Sequence, residues 1–257
     1  MPSIRDRVVL ITGASSGIGR ATAMAFAAEG TKLLLCARRA DKLIELAQEI
    51  TVKYGVEVHT FSLDVQDRLA VNAAIEALPE AWGKVDILVN NAGLSRGLAK
   101  LYEDDYQNWD EMIDTNVKGL LYVTRAVVPG MVARGLGHVI NLGSTAGHIT
   151  YANGAVYCAT KAAEKALSEG LKLDLMGTPV RVTSVDPGMV ETAFSEVRFR
   201  GDKERAAKIY ENITPLVPED VADAIVWVAT RPARVNVHNI VMTTIDQGNS
   251  LVFNRRT

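Results

Sequence analysis

Short runs rich in apolar residues alternate with longer stretches of helical period along the whole chain. The runs are 8–12, 32–37, 56–63, 85–90, 138–142, 180–185 and 239–244. A strand buried on one face alternates apolar with polar, whereas a continuous apolar run needs cover on both faces. Helices are predicted over 18–29, 41–53, 68–78, 109–134, 155–176 and 218–230. Pro129 is expected to kink the fourth of these or tighten a turn, Gly177 and Pro179 stop the fifth, and Pro218 opens the last. This alternation predicts an α/β fold: a doubly wound, mainly parallel seven-stranded sheet flanked by helices. No linker or repeat divides the chain, so one domain over 1–257 is expected. The irregular connection 191–202 belongs to a segment, around 190–212, expected to cover a substrate, because long connections are more often functional than structural.

Apolar residues make up 48% of the 257 positions and charged residues 23%, ample for a buried sheet. A formal charge of −2 gives no field that would draw nucleic acid or anionic lipid. Cys36 and Cys158 have no metal-type spacing and read as reduced thiols. His59, His138, His148 and His238 are scattered, so no metal is expected. The charged start of the chain lacks the apolar core of a leader, and no run is long enough to span a bilayer. A cytoplasmic enzyme with a small-molecule substrate and no nucleic-acid or membrane partner is the expectation.

Thr12-Gly13-Ala14-Ser15-Ser16-Gly17-Ile18-Gly19 falls where the first strand meets the first helix. Glycines let the backbone approach a pyrophosphate, and the helix start offers unpaired N–H groups and positive potential. Such a turn alone is as readily a plain tight turn; its place after the first strand supplies the context. Other motifs follow in order: Asp64-Val65 after the third strand, Asn90-Asn91-Ala92-Gly93 after the fourth, then Asn116, Ser144, Tyr157, Lys161 and Pro187-Gly188. With Gly-x-x-x-Gly-x-Gly at their head, these motifs resemble those of the short-chain dehydrogenase/reductase family over nearly the whole chain. The resemblance implies a Rossmann-type fold and a nicotinamide cofactor. It implies cofactor contacts from Gly13, Ser15, Ser16, Gly17, Ile18, Gly19, Asp64, Val65, Asn91, Ala92, Gly93, Tyr157, Lys161, Pro187, Gly188, Val190 and Thr192. Asp64 would meet the adenine amino group and Thr192 the carboxamide. Asn116, Ser144, Tyr157 and Lys161 would form the catalytic tetrad, with Asn116 bending its helix around a water that joins Lys161 to solvent. A homotetramer is the usual assembly.

The residues themselves add chemistry. Dinucleotide-binding sheets usually carry Asp or Glu at the end of the second strand for the ribose hydroxyls. Here Arg38 and Arg39 stand in that corner, and no acid follows until Asp41. Two permanently charged, bidentate guanidiniums suit a 2′-phosphate, and so NADP; merely solvating a helix start is the plainer alternative. Tyr157 and Lys161 are four apart and share one helix face. A nearby ammonium favours the phenolate, which then exchanges a proton with a substrate oxygen held by Ser144. Singly, the Tyr/Lys pair reads as surface packing and Ser144 as a turn residue.

Residues 186–202, with Ala77-Leu78-Pro79 and Gly143-Ser144-Thr145-Ala146-Gly147, are similar to one branch of the family, the NADP-dependent 3-hydroxy acid dehydrogenases of the serine dehydrogenase and malonic semialdehyde reductase type. That implies a substrate such as serine, 3-hydroxyisobutyrate or 3-hydroxypropionate, or the matching semialdehyde. Arg198 and Arg200 are candidates for the substrate carboxylate, or equally for loop and subunit contacts. A broad carbonyl or 3-oxoacyl reductase is the alternative activity, and a non-catalytic NADP(H)-binding regulator the alternative class.

Overall fold

The computed structural model describes residues 3–256; the first two residues of the charged N-terminal stretch lie outside them. β1 (Val8–Thr12), β2 (Lys32–Ala37), β3 (Val58–Ser62), β4 (Ile87–Asn90), β5 (His138–Leu142), β6 (Arg181–Pro187) and β7 (Asn239–Met242) form a seven-stranded sheet in the order β3-β2-β1-β4-β5-β6-β7. All neighbouring strands in it pair parallel, with Thr12 opposite Cys36 and Val9 opposite Ile87. The continuous apolar runs follow from the pleat. In β1, Val9 and Ile11 enter the core on one face while Val8 and Leu10 enter the core on the other. The first face is covered by α1 (Gly17–Ala28), α2 (Ala40–Tyr54) and α9 (Pro218–Ala229), through Phe26, Ile50, Val221 and Ile225. The second is covered by α3 (Arg68–Glu76) and α5 (Leu120–Arg134), through Val71, Val123, Val127 and Met131. Strand order turns back between β1 and β4, which opens a crevice at their carboxyl ends.

The expected helix over 109–134 is a composite. α4 (Tyr106–Ile113) runs through a wide π turn, Asp114–Gly119, into α5. The distortion therefore lies at Asn116 and not at Pro129, which α5 passes without ending. Pro129 and Arg125, the residue one turn back whose carbonyl loses its N–H partner, are both exposed, so that carbonyl lies on the solvent side of the helix. The connection 191–202 is also more ordered than expected: α7 (Phe194–Arg198) and α8 (Lys203–Lys208) form within and just after it. α8 starts where the Asp202 carboxylate accepts from Arg205 N at 3.0 Å. α6 (Ala155–Asp174) lies between β5 and β6 in the chain.

Candidate active site

The crevice widens into a cavity of about 690 Å³ that runs from Arg38 and Arg39 at one end to Tyr151 and Arg198 at the other. Ser15, Ser16, Gly17 and Ile18 line it where α1 begins, so the unpaired N–H groups of that first turn belong to its wall. Gly17 has φ +53°, and a Cβ there would press on the Thr192 methyl at 3.3 Å. Gly19 does not line the cavity. A Cβ on it would lie 2.5 Å from both Asn91 Nδ2 and Gly13 O, so its part is to let the turn close on the loop after β4. Thr12 Oγ1 accepts from Asn91 N at 3.0 Å and Ala92 N at 2.9 Å, and Asn91 Nδ2 donates back to Thr12 O at 2.8 Å.

At the far end of β2, Arg39 donates to Ser15 Oγ at 3.0 Å and to Ser16 Oγ at 2.7 Å. Arg38 stands 4.0 Å from Asp64. Both guanidiniums are exposed on the cavity rim, with Asp64 and Val65 beside them.

Ser144 lies two residues past the end of β5 and caps the short 3₁₀ turn Thr145–Gly147 by accepting from Ala146 N at 3.1 Å. Tyr157 is buried on α6, and the Lys161 ammonium lies 5.9 Å from its ring centroid. Lys161 Nζ donates to Leu142 O at 2.9 Å and to both oxygens of Glu164 at 3.0 and 2.9 Å. Burial works against the Lys161 charge, but Glu164, Tyr157 and Asp186 outweigh it and push its pKa up. Burial likewise pushes Glu164 up to about 7, although Lys161 pulls the other way.

Asn116 is fully buried and lies behind the cavity wall. Its Oδ1 accepts from Leu94 N at 2.9 Å, and its Nδ2 donates to Leu94 O at 2.8 Å and Thr160 Oγ1 at 3.0 Å. The side chain thus ties the π turn to α6 and the loop after β4, and every polar atom on it is committed to that task. Asn90 is likewise buried, donating to Asn141 Oδ1 at 2.9 Å.

The cover comes from Pro187, Gly188, Val190, Thr192 and α7. Arg198 lines the cavity and Arg200 does not. Arg198 donates from Nε to Ser95 Oγ at 2.9 Å and from Nη2 to Tyr151 Oη at 2.7 Å, with its guanidinium carbon 5.3 Å from the Tyr157 ring centroid. Arg200, at φ +52° beyond the end of α7, turns outward to Asn108 at 2.8 Å and Glu111 at 3.3 Å. Of the two readings offered for Arg200, this geometry matches the contact to a neighbouring element, here α4, and not the one to a substrate. Tyr151, Phe194, Tyr210 and Gln247 also line the cavity and escaped sequence reasoning. Only Phe194, beside Thr192, carried a local signal.

The short chain dehydrogenase family matches residues 7–203. The chain is 48% identical over 241 residues to the NADP-dependent 3-hydroxy acid dehydrogenase YdfG of Salmonella typhi, covering 93% of this chain and 96% of that one. It is 48% identical over 239 residues to sulfoacetaldehyde reductase 2 of Chromohalobacter salexigens, covering 92% and 94%. Among solved structures, the closed form of serine dehydrogenase complexed with NADP+ superposes with a TM-score of 0.90 at 45% identity, covering 97% of this chain and 100% of that one. The family match over 197 of the 257 residues, together with these relatives, shows that the chain belongs to the short chain dehydrogenase family.

Proposed function

We propose that this protein is an NADP(H)-dependent dehydrogenase that interconverts small 3-hydroxy acids and their semialdehydes. The observation that carries the reading is Arg198, a guanidinium beside the Tyr157 ring at the substrate end of the cavity. Among the described residues its Nη1 has no protein acceptor. A substrate whose reacting oxygen is gripped by Ser144 and Tyr157 would turn a carboxylate on the adjacent carbon toward that nitrogen, since all three residues line one cavity. A buried carboxylate without such a partner would be costly. The named activities of the relatives support the same demand, since serine and sulfoacetaldehyde are both small and carry an anionic end.

The residues fit NADP(H). Two guanidiniums flank the rim where a 2′-phosphate would lie, no carboxylate occupies the end of β2, and the α1 start turns N–H groups to the cavity. When bound, the cofactor supplies or accepts the hydride. Ser144 holds and polarises the substrate oxygen, Tyr157 takes its proton in oxidation and returns it in reduction, and Lys161 supplies positive charge beside the phenol. Asn116 acts through the π turn and loop that it ties together. The family resemblance further supports a cytoplasmic homotetramer. Exposed apolar side chains on and just after α5 and α6 (Leu121, Leu136, Leu173) and near β7 (Val241, Ile245) favour an assembly. NADP(H)-linked turnover over small 3-hydroxy acids, their semialdehydes and apolar ketones tests the activity; preference for bulky ketones with no turnover of the acids would replace it with a general carbonyl reductase.

A further inference from the structure

The Lys161 ammonium has three N–H donors, and two of them end on one residue that no step above uses. Glu164 is one turn further along α6, 2% exposed, with both carboxylate oxygens on Lys161 Nζ. A surface i, i+3 pair contributes little and exchanges freely with water. A buried one costs several kcal/mol per ion to desolvate unless its geometry is good, so it persists only where the surroundings hold it. They do so here. Ser168 Oγ donates to Glu164 O at 2.8 Å and accepts from Asn141 Nδ2 at 2.8 Å, fixing the turn that carries Glu164.

The other charged groups facing this pair are few. Asp186 on β6 is buried and adds negative charge to both partners. It is itself held by His148 at 2.6 Å, by Asn239 Nδ2 at 2.6 Å and by the Ser184 hydroxyl. His148 carries this chain of contacts toward the surface from the turn after β5. Tyr157 lies on the remaining side, one turn back on α6.

We propose that Glu164 is a positioning residue for the reaction: it holds the Lys161 ammonium by two hydrogen bonds and, by its own charge, sets how much of the Lys161 charge reaches the Tyr157 hydroxyl. An ionised Glu164 offsets the ammonium, and a protonated Glu164 leaves it uncompensated. The pH at which Tyr157 accepts the substrate proton is therefore linked to the ionisation of Glu164. This inference rests on the assignment of Tyr157 as the proton-transfer group.

The test is the pH profile of kcat/KM for NADP+-linked oxidation of a 3-hydroxy acid by the intact enzyme. Glu164→Gln keeps the shape and an acceptor for Lys161 but removes the charge. Its rising limb is expected about one pH unit below that of the wild type, the lower end of what one nearby charge produces. Glu164→Asp keeps the charge, so its limb stays with the wild type while kcat falls. A role in packing alone would lower turnover without moving the limb. A Glu164→Gln limb that stays, or that moves to higher pH, overturns the proposal. Tyr157→Phe in the same assay separates the two levels. If it retains turnover, the Tyr157 assignment fails; if it is inactive while the Glu164→Gln limb stays, only the role of Glu164 fails.

Discussion

The Arg198 guanidinium carbon sits 5.3 Å from the Tyr157 ring centroid, so the covering segment delivers a fixed positive charge to the side of the proton-transfer residue. The charge is locked there from both directions. Ser95 and Tyr151 take its Nε and Nη2, and its own carbonyl accepts from Gly97 N at 2.9 Å. A guanidinium held in this way loses little further entropy on meeting a carboxylate, which is what makes it a selective partner.

At the opposite end of the cavity, Arg39 is pre-positioned by Ser15 and Ser16. Arg39→Ala is expected to weaken NADP binding by roughly ten- to a hundredfold and leave NAD binding nearly unchanged. Arg38→Ala follows the same direction. Because both groups are exposed, the NADP loss shrinks as salt rises. Fluorescence titrations with both cofactors at two ionic strengths check this; equal losses for NADP and NAD contradict it.

Thr12 Oγ1 holds the loop after β4 against the glycine turn. In Thr12→Val, Asn91 N keeps Val89 O at 3.1 Å, but Ala92 N loses its acceptor. That one orphaned donor costs about 1–3 kcal/mol of stability. Urea unfolding is expected to show the loss with an unchanged m-value, together with weaker cofactor binding, since the turn itself loosens.

His138 is buried on β5, where burial first and Arg181 second hold its pKa well below the usual 6.5. The folded state therefore favours the neutral ring, and the unfolded chain takes up the proton first. The stability contribution is complete above about pH 6.5 and is lost as pH falls below it, by about 1.4 kcal/mol per pH unit until the folded form also protonates. His138→Val removes this slope. Urea unfolding of both proteins between about pH 7.5 and 5 isolates it, because Glu164, pushed up to about 7 by burial, contributes in the opposite sense to both. Parallel curves for the two proteins would contradict the assignment.

The strands were legible because both pleat faces are buried, which leaves Val8 to Ile11 without a polar position. Tyr157 and Lys161 were legible because their geometry is set within one helix. What was hidden depends on distant partners. The bend at Asn116 was expected from the family resemblance and not from the period, because Asn116 fixes the π turn through Leu94, twenty-two residues away; the period alone pointed to Pro129. Arg198 and Arg200 differ in sequence by two positions, yet one is drawn inward by Ser95 and Tyr151 and the other turned outward by a positive φ. Glu164 carries no motif that singles it out in the sequence; the packing of Asn141 and Ser168 around its turn is what makes it a buried partner of Lys161.

The central claim is that a small acid reacts between Tyr157 and Arg198, and it is tested most directly by kcat/KM of wild type and Arg198→Ala for NADP+-linked oxidation of a 3-hydroxy acid and of a neutral alcohol of equal size. The wild type is expected to prefer the acid. Arg198→Ala is expected to lose about 1.5–3 kcal/mol more on the acid than on the alcohol, roughly a ten- to hundredfold change in selectivity. A wild type that ignores the acid, or equal losses on both substrates, would contradict the claim.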